Sequence, residues 1–163
     1  MSFYFEDLEA GPVTELGSHR FTRAEIVDFA SKFDPQLFHM SEEGAKGSLL
    51  GGLCASGWHT SSVWLRYMVD NRMRQGQLME FRGEKPAAYG PSPGAEKIRW
   101  LKPVFVDDVI RFTTRVHEKR DVKSRPNVGL LMSLNEGHNQ NGELVFSVIS
   151  KMFVERREPL KAS

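Results

Sequence analysis

The segment from Cys54 to Asp70 constrains the fold of this chain more than any other part of the sequence. It contains no proline and, after Gly57, no glycine, so nothing in it interrupts a helix. Its large apolar residues do not keep to one helical face; they are Trp58, Val63, Trp64, Leu65, Met68 and Val69. Because a helix that is apolar on several sides is normally buried, this segment predicts a central helix that begins near Gly57 and is enclosed by the rest of the domain.

A capping box predicts an earlier helix. The Thr22 hydroxyl can accept a hydrogen bond from the Glu25 backbone N–H, and the Glu25 carboxylate can reach back to the backbone N–H of Thr22. Apolar residues then recur with the spacing of one helical face, at positions 26, 29, 30 and 33. Since Pro35 disfavours helical geometry at the residue before it, we expect this helix to end at about Phe33. A second helix start at residues 41–43 is kept short by two glycines.

The remainder of the chain is typical of strands and turns. Residues 1–20 fit a strand or two with a turn at Gly11-Pro12, and residues 71–94 fit a connection that ends in Gly-Pro-Ser-Pro-Gly. The β-rich stretches are Lys97–Trp100, Val109–Val116, Val128–Leu134 and Leu144–Val154. Asn141-Gly142 favours a type I′ hairpin turn between the last two. Two early helices followed by an antiparallel meander predict an α+β domain, which we expect to cover residues 1–163.

Composition excludes several classes of protein. Lys plus Arg is 22 and Asp plus Glu is 21, so the net charge of +1 gives no sign of a nucleic-acid binder. One cysteine, Cys54, rules out an internal disulfide, and the five histidines are too scattered along the chain for metal-ligand spacing. No apolar run approaches the roughly 20 residues of a membrane span. The acidic N-terminus lacks a signal-peptide core, so we expect a cytoplasmic protein.

Asp34 and His39 are the pair of residues that points to chemistry. They are five positions apart, just after the first predicted helix, on a chain that Pro35 bends. A loop of this kind can bring a carboxylate and an imidazole toward one point. Such a pair suits proton transfer at neutral pH, because one group can accept a proton while the other orients or relays it.

Two segments resemble the MaoC-like dehydratase family, which includes the (R)-specific enoyl-CoA hydratases. The first reads Asp-Pro-Gln-Leu-Phe-His at 34–39 and continues with Gly-Gly-Leu-Cys-Ala-Ser-Gly-Trp-His-Thr at 51–60. The second reads Lys-Ile-Arg-Trp-Leu-Lys-Pro-Val at 97–104, with two aspartates at 107–108. The resemblance runs from about Phe21 to Val154. It implies a hot-dog fold, in which an antiparallel β-sheet wraps a long central helix, and a homodimer that pairs edge to edge.

The resemblance also implies an activity. In this family an Asp and a His at this spacing activate a water that adds to a trans-2-enoyl thioester, or catalyse the reverse dehydration; by position these are Asp34 and His39. The implied substrate is an acyl-CoA thioester of fatty acid metabolism, and no cofactor is needed beyond the coenzyme A that the substrate carries. Gln36 and Leu37 stand where the hydratases most often have Asn and Pro. This departure leaves the pair intact and the substrate open.

Gly57, at the start of the predicted central helix, is the third predicted catalytic residue. The first backbone N–H groups of a helix have no intrahelical partner, and the helix dipole is positive there. The Gly57 N–H can therefore stabilise the negative charge that develops on a thioester oxygen, and the missing Cβ lets a ligand come close. The alternative is that this glycine only allows the helix to pack closely on the sheet.

Two further functions stay open from the sequence. The first is an acyl-CoA thioesterase of the same fold; such enzymes generally use a carboxylate near the helix start without an Asp–His pair, so the pair argues against it. The second is a non-catalytic acyl-CoA-binding dimer that keeps the fold. An assay of a crotonyl-type thioester separates the three, because hydration removes its conjugated absorbance, hydrolysis releases a free thiol, and a binder does neither.

The remaining notable side chains have structural interpretations. We expect the basic stretch Lys119–Pro126 to be a solvated hairpin end; its functional alternative is contact with the coenzyme A phosphates, for which Lys97, Arg99 and Lys102 compete. His59 is expected to be a core or interface residue and Cys54 a small apolar filler. The three tryptophans, at 58, 64 and 100, are expected to be core rather than the wall of an acyl pocket.

Overall fold

Five antiparallel strands and one long helix form the fold, as a computed structural model shows for residues 4–161. The elements are β1 (Thr14–Arg20), α1 (Arg23–Phe33), α2 (Leu37–Met40), α3 (Glu42–Lys46), α4 (Gly57–Phe81), β2 (Gly94–Trp100), β3 (Val109–Asp121), β4 (Val128–His138) and β5 (Leu144–Glu155). The first three and last two residues of the predicted domain lie outside the described residues. The predicted α+β class, with a long helix and an antiparallel sheet, is confirmed.

The sheet has the strand order β1-β3-β4-β5-β2, and every neighbouring pair is antiparallel. Helix α4 packs on one face of it. The indole of Trp64 lies 5.8 Å from the ring of Phe146, measured between centroids, and the Tyr67 hydroxyl donates to the backbone carbonyl of Ser18 at 2.7 Å. The core beneath the helix therefore joins α4 to an inner strand, β5, and to the edge strand β1.

The capping box at the start of α1 is present. The Glu25 backbone N–H donates to the Thr22 hydroxyl oxygen at 3.4 Å, and that hydroxyl donates to the Glu25 carboxylate at 2.8 Å. Phe21, just before the cap, and Ile26, in the first turn, are both fully buried in the main core cluster. This apolar contact across the cap fixes the angle at which the chain enters α1. The helix ends at Phe33, as Pro35 predicts.

Helix α4 differs from the prediction in two ways. It continues to Phe81, so residues 71–81, predicted as part of a connection, are helical. It is also not enclosed by the chain: one face contacts the sheet, while a stripe of Trp58, Leu65, Val69 and Met73 stays 38–59% exposed. We call this stripe the open face of α4. Despite its length, α4 is too polar for a membrane span, and no other helix among residues 4–161 qualifies.

The hairpin between β4 and β5 turns one residue earlier than predicted. The Gly142 N–H donates to the Asn139 carbonyl at 2.9 Å, so Gln140 and Asn141 occupy the centre of the turn and Gly142 follows with a φ of 77°. A type I′ turn at Asn141-Gly142 would need a positive φ at Asn141 as well, and that residue has none. The Asn139 side chain explains the shift, because it accepts the N–H groups of Asn141 and Glu143, both at 3.0 Å.

Replacing Ile26 tests how far the chain depends on the contact between α1 and the core. Ile26 is fully buried, so Ile26→Ala should lower the free energy of unfolding by about 2–5 kcal/mol through lost burial and a cavity. Val13→Ala is the control, because Val13 is 62% exposed and its loss should change stability by no more than about 0.5 kcal/mol. Urea denaturation measures both, and equal losses would contradict this account of the core.

Candidate active site

The loop after α1 brings Asp34 and His39 together. Asp34 is the C-cap residue of α1, and His39 lies in the short helix α2 that begins two residues after Pro35. The His39 Nε2 is 3.5 Å from the Asp34 Oδ2, and the two side chains are 7% and 20% exposed. That separation exceeds the 2.7–3.2 Å of an ordinary N–H···O hydrogen bond. Both atoms are therefore available to a third group held between them.

A backbone carbonyl sets the tautomer of His39. The His39 Nδ1 lies 2.7 Å from the carbonyl oxygen of Cys54. Because a carbonyl oxygen can only accept, the proton of the neutral imidazole must lie on Nδ1. This leaves the Nε2 lone pair directed toward Asp34, where it can accept a proton.

The Asp34 carboxylate accepts hydrogen bonds on both oxygens. The Ser56 hydroxyl donates to Oδ2 at 2.7 Å, and the Gln36 side-chain amide donates to Oδ1 at 2.8 Å. Burial by itself would raise the pKa of Asp34, but these two hydrogen bonds and the nearby His39 outweigh it and hold the pKa of this carboxyl below its ordinary value. Asp34 is therefore ionised at neutral pH.

Ser56 joins this carboxylate to the start of α4. Besides donating to Asp34, its hydroxyl oxygen accepts the backbone N–H of Trp58 at 3.2 Å, which makes Ser56 the N-cap of the helix. Ser56 is buried. The arrangement fixes the Asp34 carboxylate beside the N-terminal end of α4, where the unpaired N–H groups and the positive end of the helix dipole lie.

Gly57 lies in the first turn of α4, beside Trp100 of strand β2. A Cβ added to Gly57 would come within 2.5 Å of the Trp100 ring, so close packing alone requires glycine here. No group among residues 4–161 accepts a hydrogen bond from the Gly57 N–H. The packing role and the role as a hydrogen-bond donor are therefore compatible. Close packing against Trp100 explains why the residue is glycine, and its backbone N–H has no acceptor among the described residues.

A cavity of about 270 Å³ opens beside these groups. Its lining includes His39, Gly57 and Thr60 on one side and Trp100 and Lys102 on the other. Trp100 is 44% exposed and Trp58 is 56% exposed, so the prediction that they are core residues is wrong; their indoles meet edge to face, 5.0 Å apart between centroids. Only Trp64 is a core residue. Trp100 forms a wall of the cavity instead.

Several other sequence candidates take no part in this site. Burial raises the pKa of the Cys54 thiol to about 11, so Cys54 stays protonated and acts as a buried filler. His59 stacks on Phe29 in the core, and burial lowers its pKa to about 4. The basic stretch Lys119–Pro126 consists of the last three residues of β3 and the turn after it, and Lys119 lies about 33 Å along the strand from Val109. Within residues 4–161 no three His, Cys, Asp or Glu side chains converge as metal ligands would.

Sequence reasoning missed Ser56, Gln36 and Trp100 as parts of the site. Ser56 had a signal, since serine is a preferred N-cap and stands directly before the predicted helix start. Gln36 was noted only as a departure from the hydratase pattern. Its amide nonetheless binds Asp34, at the position where the pattern usually has Asn.

Comparisons with known proteins bear on the family and the fold of this chain. The family model described as MaoC like domain matches residues 8–136. The solved MaoC-like dehydratase from Rhodospirillum rubrum is 32% identical, with a TM-score of 0.78 over 96% of this chain and 99% of that chain. The uncharacterized protein YdeM from Bacillus subtilis is 26% identical over 153 residues, which are 93% of this chain and 98% of YdeM.

The solved (R)-hydratase PhaJ1 from Pseudomonas aeruginosa is also similar in structure. It is 14% identical, and the match covers 99% of this chain and 92% of that chain with a TM-score of 0.63. At this level of identity the likeness is one of fold. Together with the R. rubrum structure it confirms the hot-dog fold expected from the sequence.

Removing the Ser56 hydroxyl tests the electrostatics of Asp34 without any assumption about substrate. Ser56→Ala deletes a hydrogen bond to the ionised carboxylate, so the pKa of Asp34 should rise, and the carboxylate should become protonated at a higher pH than in the unchanged protein. Ser62→Ala is the control, because the Ser62 hydroxyl donates only to the Trp58 carbonyl. Carboxyl ¹³C NMR titration measures both; an unchanged Asp34 titration in Ser56→Ala would refute the assigned contact.

Proposed function

Because the chain belongs to the family of MaoC-like domains, we propose that it is a hydro-lyase that adds water to a trans-2-enoyl-CoA thioester, or removes water from the 3-hydroxyacyl-CoA. The observation that carries the proposal is the pairing of an ionised Asp34 with the Nε2 of a buried His39, whose Nδ1 is hydrogen-bonded to the Cys54 carbonyl and which lines a cavity. An acid–base pair of this kind is what hydration needs. The (R)-hydratase among its structural neighbours supports the fold's suitability for this chemistry.

The proposed reaction uses one water held between Asp34 and His39. Both the carboxylate and Nε2 accept hydrogen bonds from it, and the pair takes up one proton as the water oxygen bonds to C3 of the substrate. The electrons of the C2–C3 double bond move toward the thioester carbonyl. The same proton is then delivered to C2, so the product gains one water and the pair returns to its starting state.

In this proposal the start of α4 stabilises the charge on the thioester oxygen. The Gly57 N–H has no acceptor among the described residues, and it lines the same cavity as His39. Loss of one such donor typically costs about 10²–10³ in rate. The wall formed by Trp100 would seat the flat, conjugated enoyl group against an apolar surface.

The proposed substrate consists of an acyl chain and coenzyme A, and we propose no separate cofactor. Of the basic residues weighed from the sequence, Lys102 is best placed for its phosphates, because it lines the cavity beside His39. Lys102 is half-exposed and pairs with Glu143, so its ammonium group can reach solvent. The stretch Lys119–Pro126 begins at the opposite end of β3 from Val109 and does not line this cavity.

We further propose that the active form is a homodimer. Strand β2 is an edge of the sheet, and an exposed edge is normally covered or paired. Ile98 and Trp100 in this strand and Leu101 just after it are 38–47% exposed, and the open face of α4 adds further apolar surface. Contiguous apolar surface of this kind marks a protein interface. A second copy of this chain, paired along β2, would cover it.

The acid–base pair gives the decisive prediction for the activity. Asp34→Asn and His39→Ala should each lower the rate of crotonyl-CoA hydration by about 10²–10⁴, because each removes a group that holds the reacting water. The double variant should be little slower than the slower single variant, since groups acting as a unit are not additive. The measurement is loss of the conjugated thioester absorbance.

His59→Gln is the matched control, since it alters a histidine in the core rather than at the cavity. The same samples are assayed for released thiol. Hydration at near the original rate in both single variants would sink the proposed mechanism. Release of thiol without loss of conjugation would identify a thioesterase, and substrate binding with neither reaction would identify a non-catalytic binder.

Light scattering tests the dimer. The unchanged protein should have the mass of two chains at micromolar concentration, and Leu65→Arg should shift it toward one chain, because it places a charge in the open face of α4. Val13→Arg, on exposed surface just before β1, the edge strand opposite β2, should leave the mass unchanged. A strict monomer for the unchanged protein would contradict the proposed assembly.

A further inference from the structure

A second cavity lies between the C-terminal half of α4 and the sheet. Its volume is about 390 Å³, against about 270 Å³ for the cavity beside His39, and the two have no lining residue in common. Arg72, in its wall, follows Gly57 by about four turns of α4, or about 22 Å along the helix axis. This is a separate space, and its size falls within the range of small-molecule sites.

The carboxylates of Asp7 and Glu9 also line this cavity, but neither forms an ion pair with Arg72. The Arg72 guanidinium stacks on the Tyr89 ring, with Cζ 4.8 Å from the ring centroid, but no carboxylate in the described part of the chain forms an ion pair with it. The acidic group of Asp7, which also lines the cavity, is bound by Arg157 at 2.7 Å. Burial lowers the pKa of Arg72. A partly desolvated cation of this kind gains from a bound anion.

Two amides stand beside Arg72. Asn71 and Gln75 are one helical turn apart and line the same cavity, and neither side chain makes a hydrogen bond to any described residue. Together the three side chains offer several donors on one wall. Much of the remaining lining is apolar and comes from Met79, Leu131 and Met152. The cavity thus combines a polar end with an apolar body.

Gly76 keeps this cavity open. It lies inside α4, where glycine is unfavourable relative to alanine. Unlike Gly57, it has no steric need to be glycine: an added Cβ would be 4.0 Å from the Pro86 Cβ, an ordinary contact. A longer side chain at this position would instead project into the space between α4 and Pro86.

We propose that this second cavity binds a small amphipathic oxyanion, a carboxylate or phosphate group on a short alkyl chain. The oxyanion would pair with the guanidinium of Arg72 and the neighbouring amides, and the alkyl chain would lie against the methionine and leucine side chains. Arginine suits this role because its planar donors match carboxylate and phosphate oxygens. The site is separate from the proposed hydration chemistry and does not depend on it.

Isothermal titration calorimetry with four probes tests the site: hexanoate, hexyl phosphate, 1-hexanol and inorganic phosphate. At least one of the two alkyl anions should bind about tenfold or more tightly than either the alcohol or inorganic phosphate, because only the alkyl anions use both ends of the cavity. Comparing hexanoate with hexyl phosphate identifies which oxyanion is preferred. Equal binding of 1-hexanol, or no binding of either alkyl anion at millimolar concentration, would overturn the proposal.

Three variants locate the binding. Arg72→Met removes the charge and should weaken binding of the alkyl anion about tenfold or more. Gly76→Leu keeps the charge, adds a better helix former and fills the cavity, so it should weaken binding without harming the fold. Arg74→Met is the control, since Arg74 is exposed two residues further on and its loss should leave binding unchanged. Circular dichroism checks folding, and binding that survives both Arg72→Met and Gly76→Leu would place the ligand elsewhere.

Discussion

The hydroxyl of Ser56 is the contact on which the site depends. It has one proton to donate, which goes to the Asp34 carboxylate, and its oxygen accepts the Trp58 N–H at the start of α4. Two residues earlier in the chain, the Cys54 carbonyl accepts from His39. Because buried polar groups must be paired, this short segment holds both members of the acid–base pair and the helix N-terminus in one fixed relation. The geometry of the site thus follows from the pairing of a few backbone and side-chain groups.

Local signals predicted those parts of the fold that local interactions decide. The cap at Thr22 and the stop before Pro35 predicted the bounds of α1, and the β-rich stretches predicted four strands of the sheet. The prediction failed where the local structure depends on a polar side chain or on a surface distant in the sequence. The Asn139 side chain shifts the hairpin turn by accepting hydrogen bonds from two backbone N–H groups. The open face of α4 was predicted to be core, because an apolar stripe has the same sequence pattern whether its own chain or another surface covers it.

The residues of the candidate site also fall into those that local sequence predicts and those that it does not. Asp34 and His39 could be found because five-residue spacing in a bent loop keeps them near each other whatever the rest of the chain does. The contacts of Ser56 and Trp100 could not, since each joins parts of the chain far apart in sequence: Ser56 is 22 residues from Asp34, and Trp100 is 39 residues from Ser61, to whose hydroxyl its indole N–H donates. Arg72 gave no signal at all, because an exposed and a half-buried arginine on a polar helix look alike.

The edge-to-face pair of Trp58 and Trp100 has an optical consequence. The two indoles are 5.0 Å apart and both are partly open to water, while Trp64, the remaining tryptophan, is enclosed in the core. Indoles this close couple electronically, and their emission depends on the polarity around them. The tryptophan pair at the cavity is therefore an intrinsic chromophore. Its near-ultraviolet circular dichroism and its fluorescence should change when another molecule binds against strand β2.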